Sequence, residues 1–480
     1  MCGIVAVTGY KKALPLLMNG LEKLEYRGYD SAGIAIVNPE TKNIICNKAE
    51  GKLKNLIKNL NDKNMPGTVG IGHTRWATHG KPEIKNAHPH TNSSGTIAVV
   101  QNGIIENFQD LKNKLQKEGV IFNSDTDTEV IPHLIQRELN TLSKLNLDKN
   151  GSTLLVAVRN VISDLEGSYA LAVLWADAPT ALVVARRQAP LIIGLGEGEF
   201  ICASDTPAIA NFTNIILPME DEEIALLTPL GIEIYDSNNE RQYRSPVSLK
   251  VSEQIMDKMN FKHFMLKEIY DQPETAKNWL KNYLIKNLES GQYQINYPFD
   301  TKFFESIERI EIIACGTSKH AAMVGKFLLE QFSGIPTNVF YASEFRYSPP
   351  PLLPNTLTIG VTQSGETADT IAAIDMEIKR RSSKEDKKFT PNLIAITNRK
   401  ESSIGRQVLN IIDICAGIEV GVAATKTFFG QLLSFYGLAI KFAQIKGTQS
   451  SDEIDKLITE LINLPPLIAV SYTHLRAHET

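Results

Sequence analysis

The second residue of the chain, Cys2, stands at the head of the apolar run CGIVAV. A small second residue is compatible with removal of Met1, which would place a thiol and a free α-amine on one residue. Because an α-amine has a pKa of roughly 7.7–8.0 and a free cysteine one of about 8.5, the amine can act as the base for its own nucleophile. Alternatively, Cys2 simply begins a buried strand, a position in which cysteine is common.

Four later segments place polar side chains beside glycine. They are LEYRGYDSAG (24–33), GHTRWATHG (72–80), VVQNGIIEN (99–107) and SDTDTEV (124–130). Each alone could be a loop or a cap, since Asn102-Gly103 is a common turn signal and Arg75-Trp76 suits a surface cation on an aromatic ring. Their occurrence together with Cys2 favours a catalytic site.

In this order, and with NAHPH (86–90) between them, the segments resemble the class II (N-terminal nucleophile) glutamine amidotransferases, and the resemblance extends to about residue 465. It implies that Cys2 attacks the side-chain amide of glutamine and forms a glutamyl thioester. The Asn102 amide and the Gly103 backbone N–H would form the oxyanion hole. Arg75 would clamp the substrate α-carboxylate, and Asp127 would face its α-ammonium. By the same resemblance, the residues that shape this pocket also include Arg27, Trp76, Thr78 and His79.

Histidine is frequent in this region, at His73, His79, His88 and His90. The spacing of HPH could suit a metal, but neither a cysteine pair nor an H-x-x-x-H helix accompanies it. Structural or supporting roles are therefore expected, and we predict no metal and no cofactor.

Two junctions in the second half, CGTSKH (315–320) and TQSGETADT (362–370), place hydroxyl residues and glycine between a strand and a helix. Free N–H groups at a helix start can bind phosphate, although ordinary N-capping explains either junction alone. Neither is a Walker A or G-x-G-x-x-G sequence, which argues against nucleoside triphosphates and dinucleotides.

These junctions resemble the sugar isomerase (SIS) fold. The resemblance implies that a sugar phosphate is bound by Thr317, Ser318, Thr362, Gln363, Ser364 and Thr367, with Val422 and Ala424 on the sugar side. Two positions depart from the usual pattern, because Thr362 and Ala424 stand where the family usually has serine. Thr362 keeps a hydroxyl and Ala424 does not.

The elements that would position these residues follow from the periodicity. Strands are predicted at Ile34–Val37, Val69–His73, Ile97–Gln101, Ala170–Trp175, Ala181–Ala185 and Ile224–Leu227. Helices are predicted at Lys12–Glu25, Asn107–Glu118 and Thr126–Glu138, the last capped by Ser124 or Asp125. From about residue 307, strand and helix alternate, with helices at His320–Phe332 and Ala368–Arg380. We therefore expect an α+β N-terminal-nucleophile (αββα) domain at 1–240 and an α/β doubly wound SIS domain at 301–450.

Two segments remain, a connector at 241–300 and the residues after 450. The connector is expected to be helical and to pack through Phe264, Ile269, Trp279 and Leu280. A helix over Ser451–Ile462 is expected to stop at Pro465-Pro466. Residues 451–470 would begin a second SIS region, and SYTHLRAHET (471–480) resembles vector read-through. The chain is therefore expected to be C-terminally truncated and competent only as a glutaminase. The family's Schiff-base lysine, proton-moving glutamate and ring-opening histidine cannot be placed, and Lys426 does not match the lysine motif.

Composition excludes several classes of protein. The 480 residues are 43% hydrophobic and 22% charged, with a net charge of −4 and a pI near 6.2, so nucleic acid is an unexpected partner. We find no membrane-length apolar run and no signal peptide. The five scattered cysteines indicate reduced thiols in a cytoplasmic protein.

Together the two resemblances imply transfer of ammonia, through the protein interior, from L-glutamine to D-fructose 6-phosphate. The products would be L-glutamate and D-glucosamine 6-phosphate, and the enzyme would be a homodimer. Two alternatives are another class II amidotransferase, such as the phosphoribosylpyrophosphate type, and a non-catalytic sugar-phosphate sensor. The SIS junctions disfavour the first, and the presence of Cys2 with its pocket residues disfavours the second.

Overall fold

The computed structural model describes residues 2–60, 65–77, 80–145, 147–249, 260–287 and 291–472. The chain divides into two compact units, Met1–Ser252 and Glu253–Thr480. No helix within the described ranges combines the length and the apolar character needed to cross a bilayer.

The first unit is built on two antiparallel sheets. Its strands are β1 (Gly3–Gly9), β2 (Ser31–Asn38), β3 (Asn43–Glu50), β4 (Gly70–Arg75), β5 (His90–Thr91), β6 (Ile97–Ile105), β7 (Gly167–Trp175), β8 (Leu182–Arg187), β9 (Ile192–Leu195), β10 (Glu199–Ala203), β11 (Ile215–Pro218), β12 (Ile224–Thr228), β13 (Gly231–Tyr235), β14 (Arg241–Gln242) and β15 (Val247–Ser248). An eight-stranded sheet has the order β15-β11-β9-β10-β1-β4-β2-β3, and a seven-stranded sheet has the order β14-β13-β12-β8-β7-β6-β5.

The helices of this unit cover the outer face of each sheet. They are α1 (Ala13–Leu24), α2 (Leu53–Leu60), α3 (Phe108–Lys117), α4 (Val130–Ser143), α5 (Gly151–Ser163) and α6 (Pro207–Ala210). Because side chains alternate along a strand, β1 sends Ile4 into the core between the sheets and Val5 into the core beneath α1. β7 likewise sends Leu174 between the sheets and Val173 beneath α4 and α5. The four layers confirm the predicted αββα arrangement.

The six strands predicted for this unit are confirmed, but the predicted start of one helix is wrong. The helix expected from Thr126 begins at Val130, and no side chain caps it. Of the two expected caps, Ser124 Oγ donates to Glu129 Oε2 at 2.6 Å, and Asp125 Oδ2 accepts from Asn86 Nδ2 at 3.2 Å. The next two hydroxyls also bond elsewhere: Thr126 Oγ1 lies 3.1 Å from His90 Nε2, and Thr128 Oγ1 donates to Gln101 Oε1 at 2.7 Å. Residues 124–128 therefore form a loop.

The second unit contains a parallel sheet. Its helices are α7 (Phe264–Tyr270), α8 (Gln272–Tyr283), α9 (Thr301–Glu305), α10 (Gly316–Ser333), α11 (Ala342–Phe345), α12 (Ala368–Ser382), α13 (Ser403–Gln407), α14 (Lys426–Lys446) and α15 (Ser451–Tyr472). Its strands are β16 (Leu284–Lys286), β17 (Tyr293–Ile295), β18 (Arg309–Ala314), β19 (Thr337–Tyr341), β20 (Thr356–Thr362), β21 (Asn392–Thr397) and β22 (Ile411–Asp413). The last five form one parallel sheet in the order β19-β18-β20-β21-β22, and β16 pairs with β17.

Helices lie on both faces of the parallel sheet. Leu329 of α10 and Phe435 of α14 pack with Ile312 on one face, while Ala373 of α12 packs with Ile313 on the other. This confirms the predicted doubly wound α/β domain. The predicted domain limits at 240, 300 and 450 stay predictions.

The segments flanking the sheet contribute to the same core. Trp279, from the predicted connector, is fully buried in it. The expectation that Pro465-Pro466 ends the last helix is wrong, because α15 continues to Tyr472 with both prolines inside it. Ile454, Ile458 and Leu461 of α15 are buried in this core, and Pro465 is buried on the same helix face. This apolar face holds the helix together although each proline removes an N–H donor.

Close packing of α10 on α14 gives a stability prediction. A Cβ at Gly325 would lie 2.4–2.8 Å from the ring of Phe435. We expect Gly325→Ala to destabilise the second unit by about 1–3 kcal/mol, because overpacking outweighs the better helix propensity of alanine. Urea denaturation measures the change, with Gln331→Ala at an exposed site of α10 as the control. Equal midpoints for the two variants would contradict the prediction.

Candidate active site

The pairing of β1 with β4 sets the position of Cys2. Gly3 lies opposite Thr74, so Cys2 is adjacent to the end of β4, where the chain continues into Trp76. The Trp76 backbone N–H donates to Cys2 Sγ at 3.3 Å. A Cβ on Gly3 would lie 2.6 Å from Thr74 Oγ1 and 2.7 Å from Leu24 Cβ, so only glycine allows this close approach.

The environment of Cys2 keeps its thiol neutral. Burial raises the pKa of Cys2, while the Trp76 N–H and the nearby Arg75 guanidinium act in the opposite direction and the Asp30 carboxylate adds to the increase. A thiol with a raised pKa needs a base before it can act as a nucleophile. Attack by Cys2 therefore requires a base close to the thiol.

Asn102 and Gly103 reach this site from the other sheet, on β6. Asn102 is buried, and its Nδ2 donates to the Cys2 carbonyl oxygen at 3.1 Å. Gly103 has φ +108°, and a Cβ there would lie 2.1 Å from the Ser168 carbonyl oxygen on β7. The structure thus brings Cys2 and the Asn102 amide together, with Gly103 next along the strand in a conformation that excludes a side chain.

Two charged residues, Arg75 beside the thiol and Asp127, interact electrostatically with each other. The Arg75 guanidinium is buried and donates to the carbonyl oxygens of Lys81 and Gly80, at 3.3 Å each. Burial lowers the pKa of Arg75, and the charges of Cys2, Asp30 and Asp127 partly offset this. Asp127 is also buried, and its Oδ2 accepts the Ile105 N–H at 2.8 Å. The site therefore holds a fixed cation beside the nucleophile and a fixed anion close to that cation.

A buried asparagine, Asn86, joins the two loops that carry these charges. Its Nδ2 donates to the Lys81 carbonyl oxygen at 3.0 Å and to Asp125 Oδ2 at 3.2 Å, and its Oδ1 accepts the Asp125 N–H at 2.9 Å. Sequence reasoning missed this residue, since nothing in the pattern distinguishes it from an ordinary turn asparagine.

The other predicted pocket residues have varied surroundings. Arg27 is buried and bonds to Asp205 Oδ2 through Nη2 at 2.6 Å, a partner that the sequence did not suggest. Although burial alone would lower the pKa of Arg27, Asp205 and Tyr26 raise it. The Trp76 ring packs edge-on against Tyr29, with centroids 5.4 Å apart. Thr78 and His79 lie outside the described residues.

Three of the histidines form a buried stack beside Asn102. The rings of His73 and His88 are stacked with centroids 4.1 Å apart, and His90 meets His88 edge-on at 4.8 Å. Burial lowers the pKa of His73 to about 3 and those of His88 and His90 well below 6.5. Over the part of the chain that the structure describes, no three His, Cys, Asp or Glu side chains are grouped as metal ligands.

The predicted phosphate residues lie at one edge of the parallel sheet. β18 and β20 are paired, so the turns that follow them are adjacent, with Thr317 and Ser318 in the first turn of α10. Ser318 Oγ accepts from Gln431 Nε2 at 2.9 Å. After β20, Thr362 Oγ1 lies 2.7 Å from Thr367 Oγ1.

The turn between Thr362 and Thr367 is tight. Gly365 has φ +69°, and a Cβ there would lie 1.8 Å from Ser402 Oγ. Ser364 Oγ accepts the Glu366 N–H at 3.1 Å. Gln363 and Ser364 are half-buried. Ser318, Gln363, Ser364 and Thr367 thus surround the carboxyl ends of neighbouring strands, the usual ligand position in such sheets.

The loop that carries Val422 and Ala424 is held by two buried carboxylates. Glu419 accepts the N–H groups of Thr425 and Thr427, at 2.9 and 3.2 Å. Glu268, from the predicted connector, accepts the Gly421 N–H at 3.1 Å. Burial raises the pKa of Glu268, and its bonds from Val420 and Gly421 counteract this. Sequence reasoning missed both carboxylates, because their partners are backbone groups.

Comparisons with known proteins identify the family. Residues 73–211 match the glutamine amidotransferase domain, and residues 303–441 match the SIS domain. The chain is 52% identical, over 469 residues, to the glutamine–fructose-6-phosphate aminotransferase [isomerizing] of Thermosynechococcus vestitus, covering 97% of this chain and 73% of the relative. The enzyme of the same name from Nostoc sp. is 51% identical, with 97% and 73% covered. The chain belongs to the glutamine–fructose-6-phosphate aminotransferase (isomerizing) family.

Membership of this family confirms the resemblance of both halves and disfavours the phosphoribosylpyrophosphate-type amidotransferase and the sensor. Among solved structures, the C-terminal domain of the glucosamine-fructose-6-phosphate aminotransferase from Francisella tularensis is 33% identical. It has a TM-score of 0.40 and covers 44% of this chain and 56% of that chain. The roles of individual residues stay predictions.

The buried histidine stack predicts a pH dependence of stability. Between about pH 6.5 and 3, unfolded histidines bind protons that folded His73 does not, so the free energy of unfolding falls as pH falls through this range. Above about pH 6.5 both states are neutral and this contribution is constant. Calorimetry at about pH 5.5 in buffers of different ionisation enthalpy counts the protons taken up on unfolding. We expect the His73→Phe variant to take up close to one proton fewer on unfolding than the parent chain. An unchanged number of protons would contradict the prediction.

Proposed function

We propose that the chain uses L-glutamine as a nitrogen donor for D-fructose 6-phosphate, giving L-glutamate and D-glucosamine 6-phosphate. The observation that carries the proposal is the meeting of Cys2 with the Asn102 amide, whose Nδ2 lies 3.1 Å from the Cys2 carbonyl oxygen. A nucleophile beside a fixed amide donor is the arrangement that acyl transfer requires. The family relationship supports the sugar substrate.

In the first step, the α-amine of Cys2, free once Met1 is removed, takes the thiol proton, and the Cys2 sulfur attacks the side-chain amide carbon of glutamine to form a tetrahedral oxyanion. Asn102 Nδ2–H and the Gly103 N–H stabilise this oxyanion, a contribution of about 2.7–4 kcal/mol per donor in comparable sites. The same proton passes from the α-amine to the leaving nitrogen, so collapse of the intermediate breaks the C–N bond, releases ammonia and leaves a glutamyl thioester on Cys2. Water then hydrolyses the thioester to glutamate and restores the thiol.

Recognition of glutamine falls to the two charged residues. Arg75 would bind the α-carboxylate through two parallel N–H donors, and Asp127 would bind the α-ammonium. Their burial strengthens both interactions, since little water competes. Trp76 and Arg27, with Thr78 and His79, would complete the pocket.

In the second unit, the proposed phosphate ligands are the hydroxyls, amides and free N–H groups of Thr317, Ser318, Thr362, Gln363, Ser364 and Thr367. The N-terminus of α10 adds a favourable dipole. Val422 and Ala424 would contact the sugar. Ammonia must reach the sugar without meeting water, where it would be protonated or lost.

We also propose a homodimer in the cytoplasm, on the ground of the family resemblance. Glutamine and fructose 6-phosphate are then the partners, with no metal or cofactor.

The role of Cys2 is tested by Cys2→Ala. We expect glutamate release from glutamine to be abolished, because the nucleophile is gone, while fructose 6-phosphate binding measured by calorimetry is unchanged. Cys46→Ala on β3 is the matched control and should keep both properties. Glutamate release by Cys2→Ala would remove Cys2 from its assigned role.

The same assay follows glutamate and glucosamine 6-phosphate separately in the unmodified chain. Glutamate without amino sugar would limit the activity of these 480 residues to glutamine hydrolysis and overturn the sugar half of the proposal. Both products would place the sugar chemistry within these 480 residues as well. A folded chain that forms neither product would overturn the proposed function.

The clamp is tested by Arg75→Lys. One ammonium cannot make both contacts to a carboxylate, so we expect KM for glutamine to rise by about tenfold or more, with a smaller change in kcat. Arg137→Lys, at an exposed position of α4 paired with Glu118, should leave both constants unchanged. An unchanged kcat/KM for Arg75→Lys would refute the clamp.

A further inference from the structure

The orientation of the Asn102 amide decides whether Cys2 faces a donor or an acceptor. An asparagine side chain can be turned by 180°, and only one orientation directs Nδ2 toward the site. In the structure Nδ2 faces the Cys2 carbonyl oxygen at 3.1 Å, and Oδ1 lies 3.0 Å from His73 Nε2. The Cys2 carbonyl oxygen on one side and His73 Nε2 on the other therefore both constrain the orientation of the amide.

The tautomer of His73 follows from a backbone group. His73 Nε2 also lies 3.1 Å from the Gln101 carbonyl oxygen, which can only accept a hydrogen bond. Nε2 therefore carries the hydrogen, and the Asn102 atom that faces it must be the oxygen. The Cys2 carbonyl oxygen, another obligatory acceptor, requires a nitrogen at the other end of the amide. Both ends of the amide give the same orientation.

The His73 ring is itself fixed. It is fully buried on β4 and stacked on His88 at 4.1 Å with 13° between the planes. His88 Nδ1 accepts the Gln101 N–H at 3.2 Å, and His90 meets His88 edge-on while its Nε2 contacts Thr126 Oγ1. The stack fixes the plane of the His73 ring, and the contacts of Nε2 with the Gln101 and Asn102 oxygens fix which edge of the ring faces Asn102.

The neutral state of His73 also follows from its surroundings. Burial lowers its pKa to about 3. A proton on Nδ1 would have no hydrogen-bond acceptor in the described ranges of the chain. His73 therefore offers one donor, at Nε2, throughout the pH range in which the enzyme works.

We propose that His73 is a positioning residue that holds the Asn102 amide with Nδ2 directed toward the oxyanion of the glutamine hydrolysis step, and that the stack of His88 and His90 holds His73. The inference rests on the proposed glutaminase function of Cys2. His73 acts through Asn102 and does not touch the substrate. Without it, the amide can turn and present Oδ1, which repels the oxyanion.

The experiment replaces His73 in the full chain. His73→Phe keeps a ring for the stack and removes the donor. We expect kcat for glutamine hydrolysis to fall about 10- to 100-fold, less than the 10²–10³-fold cost of deleting an oxyanion donor, because the amide keeps some of its productive orientation. KM should change little, since Arg75 and Asp127 remain.

Two further variants separate positioning from stability. His73→Gln can place an N–H near the position of Nε2, and we expect it to recover most of the lost kcat. His133→Phe is the matched control, a buried histidine of α4 that packs on Phe122. It should lower the melting temperature without lowering kcat. If His73→Phe does not fold, His73→Leu takes its place.

A double-mutant cycle with Asn102→Ala gives the decisive readout. If His73 acts through Asn102, His73→Phe should cost almost nothing in kcat once the amide is gone. Equal losses in both backgrounds, or an unchanged kcat in the single variant, would overturn the inference. In either case glutamate release that still depends on Cys2 would leave the proposed function standing. A folded parent chain without glutamate release would overturn both.

Discussion

The register between β1 and β4 is the constraint on which the glutamine site depends. β1 lies inside the eight-stranded sheet, paired with β4 on one side and β10 on the other, and its side chains alternate between two cores. A slip of one residue would turn Ile4 and Val5 to the wrong faces, which the two cores forbid. Packing that is wholly apolar thus fixes the position of Cys2 at the end of the strand, next to Arg75 and Trp76. The position of the site therefore follows from the packing of the two sheets.

Burial then determines the chemistry at that position. The same exclusion of water raises the pKa of the Cys2 thiol and lowers those of Arg75 and the stacked histidines. The buried charge of Arg27 is held close to that of Asp205, because an unpaired buried charge would cost several kcal/mol. Dipoles and charges fixed in a dry site need no rearrangement when negative charge develops on the substrate. The polar network is therefore already arranged for catalysis before glutamine binds.

Much of the fold and of the candidate site could be predicted from the sequence, and the residues that were not predicted were missed for one reason. Alternating apolar residues gave the strands, and the order of the polar segments gave the family and the residues around Cys2. Asn86, Asp205, Glu268 and Glu419 were missed because the sequence does not reveal their partners. Some partners lie far away in the chain, and others are backbone N–H groups, such as that of Gly421, which carry no residue-specific signal. The start of α4 was misplaced for the same reason, since Asp125 bonds to Asn86, and Thr126 and Thr128 bond to His90 and Gln101. Local propensity cannot reveal a tertiary partner.

The two departures from the SIS pattern can be understood in these terms. Thr362 keeps the hydroxyl, and that hydroxyl lies 2.7 Å from Thr367 Oγ1, so the turn after β20 retains its internal bond. At position 424, in contrast, the loop does not depend on a side-chain hydrogen bond. The loop is closed by Glu268 through the N–H groups of Val420 and Gly421, and by Glu419 through the N–H groups and hydroxyls of Thr425 and Thr427 at the start of α14. Because these donors hold the loop, the serine hydroxyl is not needed for its shape. What Ala424 removes is at most one side-chain bond to the proposed sugar ligand.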